Sequence, residues 1–123
     1  MSDWRPILKS QFDGEDGSFL LQLRCDNTWD RIAFDRLIAA MKSCCISSAG
    51  AEALDRWVAD GFWDTESIVR DWLSDSSSNA NHSPEYFRAA LELLHELSYW
   101  YFRDELPAGP GADPELFALE LPD

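Results

Sequence analysis

Positive charge is scarce in this sequence: ten Lys and Arg stand against 23 Asp and Glu, a formal net charge of −13 at pH 7. An excess of that sign argues against nucleic acid or an anionic membrane surface as a direct ligand, because phosphates are repelled. Cysteine is sparse too. The three thiols, Cys25, Cys44 and Cys45, form an odd set with one adjacent pair, which makes a poor disulfide framework and lacks metal-ligand spacing. Their apolar neighbours predict free, buried thiols. No basic-plus-apolar stretch at the start reads as a secretory signal, and no apolar run approaches the roughly 20 residues of a membrane span. The compartment expected is a reducing cytoplasm.

Catalytic vocabulary is equally thin. The glycines at 14, 17, 50, 61, 109 and 111 fit neither dinucleotide-binding nor phosphate-loop spacing. Only two histidines exist. His82 lies in a polar stretch and reads as a solvated residue. Glu92-x-x-His95 matches one ligand step of a di-iron bundle, but that site needs a second such step, and Asn79 stands where its acid would be. No nucleophile elbow is present. The expectation is a protein without enzymatic activity, cofactor or metal.

What the chain has is apolar bulk. Its 123 residues are 46% hydrophobic and include six Trp, ample for one packed core and too few for two. The apolar pattern predicts a mainly α, compact single-domain helical bundle around a C-terminal central helix. That helix spans about Ser83 to Arg103, with Ser83 as N-cap and Pro84 at the first helical position. Its polar stripe (Glu85, Arg88, Glu92, His95, Glu96, Tyr99, Arg103) is narrow, so neighbours should surround it. A second helix is expected over about Thr28 to Cys45, capped by Asn27 or Thr28. A third runs from about Gly50 to Asp60 and stops at Gly61 as a left-handed C-terminal residue. A fourth covers about Thr65 to Ser74. The pairs Glu52–Arg56 and Glu66–Arg70 have the favoured acid-first order on their helices. Residues 6–25 read as short helices, the second capped by Ser18, or alternatively as a hairpin turning at Asp13–Gly17. Two loops, Asp75–His82 and Pro107–Pro114, carry the Ser, Asn, Gly and Pro. The acidic tail 104–123 packs as an extended strap, alternating Phe117, Leu119 and Leu121.

The charge is uneven. The segment 47–83 carries seven acids against two bases, and 104–123 carries six acids and no base. Within the first of these, Gly61-Phe62-Trp63 should form a tight corner in which two adjacent aromatics rarely both point inward. An exposed Trp63 ringed by Asp60, Asp64, Glu66, Asp71 and Asp75 would be a compact anchor with a charged rim. Those six are the candidate partner-binding residues. The alternative is that both aromatics pack beneath the corner and the acids are merely solvated.

Three stretches carry a resemblance: Trp29-Asp-Arg-Ile-Ala-Phe-Asp-Arg-Leu37, Ala53-Leu-Asp-Arg-Trp-Val-Ala-Asp-Gly-Phe-Trp63 and Ser83-Pro-Glu-Tyr-Phe-Arg-Ala-Ala-Leu91. In general character the chain resembles the small acidic helical immunity proteins of bacterial polymorphic-toxin systems. That likeness implies a bacterial immunity- or antitoxin-type inhibitor that neutralises a basic toxin domain, such as a nuclease, by direct binding. It transfers no residue roles. Two other classes remain open from the residues themselves: a structural or regulatory subunit that self-associates, and a helical domain with a small-molecule pocket.

Overall fold

A computed structural model of the chain describes residues 3–75 and 81–123. Five α-helices account for most of them: α1 (Trp4–Phe12), α2 (Phe19–Asp26), α3 (Arg31–Ser47), α4 (Arg56–Ser74) and α5 (Pro84–Arg103). No strand occurs among the described residues, so the hairpin alternative for residues 6–25 is overturned in favour of α1 and α2. Local chemistry explains that outcome. Asp3 caps α1 and Ser18 caps α2, each side-chain oxygen accepting a backbone N–H, and Gly14 and Gly17 take the positive φ of the turn between them. Gln11, buried on α1, accepts the Phe19 N–H through Oε1 at 2.9 Å and so welds the two helices.

The boundaries of α3 and α4 correct two expectations. Asp30, not Asn27 or Thr28, caps α3, its carboxylate accepting the N–H groups of Ile32 and Ala33. Asn27 is instead the left-handed C-cap of α2. The Ala33 N–H foremost, then the Gln22 amide, hold the Asp30 carboxyl below its ordinary value. Residues 50–55 are not helical, and no helix ends at Gly61. A single helix, α4, runs straight through it, so the expected corner does not exist and the Glu52–Arg56 pair does not form. Gly61 is there for packing: a Cβ at this position would run into the Phe12 ring. Glycine inside a helix costs about 1 kcal/mol relative to alanine, and the close approach of Phe12 offsets it.

The core is continuous. Helix α3 packs on α1, α2 and α5, and α5 packs in turn on α4. Ser83 and Pro84 open α5 as expected, and its polar stripe faces outward while Tyr86, Phe87, Ala90, Leu94, Leu97, Trp100 and Tyr101 are buried. Trp29, fully enclosed, gathers Phe19, Phe34 and Phe87 within 5.0 Å between ring centroids. Beyond α5, residues 117–121 alternate half-buried and exposed, with Phe117, Leu119 and Leu121 inward. Two cations of α3 hold this segment: Lys42 Nζ donates to the carbonyls of Glu115 and Phe117, and Arg31 to that of Leu121. Residues 76–80 of the expected loop Asp75–His82 lie outside the described residues.

Candidate functional site

The six candidates singled out above, five acids and Trp63, lie on α4 or at its end, and a continuous helix sorts them differently from a corner. At 3.6 residues per turn, neighbouring residues point about 100° apart. Phe62 therefore turns inward, where it is fully buried and stacks on Tyr101 at 4.4 Å. Trp63 turns outward and is 64% exposed. Asp60, Asp64, Asp71 and Asp75, spaced four, seven and four residues apart, fall within a stripe roughly 60° wide on one side of the indole. Asp60, Asp64 and Asp71 are exposed and make no ion pair among the described residues. Asp75 is also exposed, at the C-terminal cap of α4.

Glu66 departs from the expected ring. It lies on the other flank of Trp63, and its carboxylate is engaged by Arg70 at 2.6 Å and by His95 Nδ1 at 3.2 Å. It is thus an internal fastener between α4 and α5 and not a free rim acid. The expected Glu66–Arg70 pair does form.

Two hollows flank the outer ridge of α4. Toward α5, Trp63, Glu66, His95, Ser98, Tyr99 and Phe102 bound a groove of about 300 Å³. Trp63, Tyr99 and Phe102 are all exposed large side chains, and all three line this groove. Sequence reasoning names neither α5 ring as a site residue: it places Tyr99 in the outward polar stripe, as found, whereas Phe102 gives no sign of reaching the surface. Ser98, 8% exposed, lines the groove with its Oγ buried and without a hydrogen-bond partner among the described residues. Toward α1 and α2, a wider cleft of about 510 Å³ is lined by Asp60 and Asp64 together with Asp13, Arg24, Cys25 and an apolar floor.

The cysteines divide. Cys44 and Cys45 are buried; burial pushes the Cys44 thiol up to about 11 and raises Cys45 as well. Cys25 is exposed, contrary to the expectation that all three are enclosed, because α2 turns it away from α3. His82 is half-buried against Tyr86, with ring centroids 4.9 Å apart, and not a freely solvated loop residue. Among the described residues no three His, Cys, Asp or Glu side chains gather as a metal-binding group. No helix there is long and apolar enough to cross a membrane.

These features define a mainly α single-domain bundle with one helix, α4, offering an acidic and aromatic outer ridge. No protein-family model matches the chain, and neither does any curated protein sequence or solved structure.

Proposed function

We propose that this chain is a non-enzymatic acidic binding protein, an immunity- or antitoxin-type inhibitor that neutralises a basic toxin domain, such as a nuclease, by direct contact in the cytoplasm. The observation that carries the reading is Trp63: a bulky indole left 64% exposed beside the carboxylates of Asp60, Asp64 and Asp71, which form no ion pair among the described residues. Exposing so large an apolar surface is costly in water and is recovered when a partner covers it. Carboxylates free of internal partners add a long-range field that speeds encounter with a cationic surface. The roles then separate. The aspartates steer, and Trp63, with Tyr99 and Phe102, holds.

The test is capture of the partner from the native host, followed by kinetics on the purified pair. Reversing Asp60, Asp64 and Asp71 to Lys together should slow association and flatten its salt dependence. Trp63→Ala should leave association alone and accelerate release, with a loss of about 2 kcal/mol or more, which is thirtyfold in affinity. An association rate indifferent to the triple reversal would overturn the reading.

The aromatic groove also favours a second reading, a structural or regulatory subunit whose Trp63, Tyr99 and Phe102 bury against another copy. Light scattering coupled to size exclusion separates the two, since an obligate oligomer formed without any basic protein supports the second. The net charge of −13 weighs against self-association at low salt.

A further inference from the structure

We propose that the cleft between α4 and the α1–α2 corner is the seat of a long basic side chain, arginine or lysine, presented by a protein partner. The proposal rests on the basic-partner reading above and assigns it a second contact point, separate from the Trp63 groove.

The cleft has two chemistries. Its floor is apolar, built by Phe12, Leu20, Trp57 and Ile68, and closed because Gly61 lacks the Cβ that would push the Phe12 ring off α4. Its mouth is charged. Asp13, Asp60 and Asp64 stand there against a single cation, Arg24. Asp13 is already answered by Lys9 at 3.1 Å, whereas Asp60 and Asp64, one helical turn apart, face solvent with no ion pair among the described residues. A methylene stem lying on apolar carbon with a cationic head held by carboxylates is the way lysine and arginine partition at such boundaries. The molecule supplies its own precedent at the edge of this cleft. Lys9 lies with Nζ 5.4 Å from the centroid of the Trp57 ring while pairing with Asp13. A second cation entering beside it would find the two aspartates unanswered.

Other occupants fit less well. A phosphate or nucleic acid would meet the aspartates, and a second copy would bring the same negative charge to the same place. A purely apolar side chain would desolvate Asp60 and Asp64 without pairing them.

Cys25 makes the idea measurable. It lines the cleft and is exposed, whereas Cys44 and Cys45 are buried, so alkylation of the native protein by neutral iodoacetamide reads the cleft alone. The probe is an acetylated hexa-arginine amide, with hexa-lysine and hexa-serine peptides in parallel. The arginine or lysine peptide should slow Cys25 alkylation saturably, and the serine peptide should not. Asp60→Asn with Asp64→Asn should raise the half-protecting concentration about tenfold, two charge-assisted contacts being lost. Glu92→Gln removes one charge from α5, outside both hollows, and should have little effect. No protection by either basic peptide, or equal weakening by Glu92→Gln and by the Asp60/Asp64 pair, overturns the proposal. The peptide experiment needs no cognate partner, so its failure is separate from failure of the inhibitor reading. A neutralising complex in which Cys25 stays freely alkylated would sink the cleft and spare the inhibitor.

Discussion

Trp29 and Tyr86 meet edge to face in the middle of the molecule, and the indole Nε1–H donates to the phenolic oxygen at 3.0 Å. The pair ties the segment ahead of α3 to the first turn of α5. Both side chains are almost wholly enclosed, so each polar atom depends on the other. Burial also raises the Tyr86 pKa. Tyr86→Phe, which keeps the ring and strands the indole N–H, should destabilise the fold by about 1–3 kcal/mol. Urea unfolding gives the value. A cost close to zero would mean that water reaches the indole.

Gly61 gives a second prediction with a built-in rescue. Alanine is the better helix former by about 1 kcal/mol, yet Gly61→Ala should destabilise, because the new methyl collides with the Phe12 ring. Overpacking of this kind costs about 1–3 kcal/mol. Adding Phe12→Ala should recover the collision part, so the double variant should be no less stable than Phe12→Ala alone. A left-handed glycine would show no such rescue.

Asp30 sets a pH dependence. Its carboxyl titrates below the ordinary value because of the Ala33 N–H and the Gln22 amide, so the folded state favours the ionised form. The stability this supplies is complete above the unfolded-state pKa near 3.8 and is lost as pH falls through the lower folded value. Asp30→Asn should therefore show a shallower fall of stability with acid than the parent protein. Melting temperatures measured between neutral pH and the acid limb check this, and parallel curves would refute it.

Thiol counting tests the division of the cysteines. Under native conditions one equivalent should react rapidly with a disulfide reagent, and Cys25→Ser should abolish that phase. Cys44 and Cys45 should react only at the rate of unfolding, since burial keeps both protonated.

The elements legible in the sequence are those whose signals are local. Ser83 followed by Pro84 opens α5 as expected, and Ser18 opens α2, because a cap is a matter of a few neighbouring atoms. The stretch around Gly61 was illegible for the opposite reason. A glycine that ends a helix and one that lets a distant ring approach look identical in one dimension, and Phe12 comes from the far end of the chain. The expected ring of acids around Trp63 depended on that corner. Once the helix continues, Phe62 and Trp63 point apart, Glu66 passes to α5, and Asp60 and Asp64 pass to the α1–α2 side. Exposure of Trp63 was one of two outcomes the residues allowed. The continuous helix selects it.

The fastening of residues 115–121 has a practical corollary. Lys42 and Arg31 grip main-chain carbonyls, which every amino acid possesses, and only Phe117, Leu119 and Leu121 face the core. Ala118 and Glu120 point away. A dye or affinity handle placed at either position should leave the bundle intact and keep clear of both hollows beside α4, giving an experimenter a neutral place from which to watch the protein work.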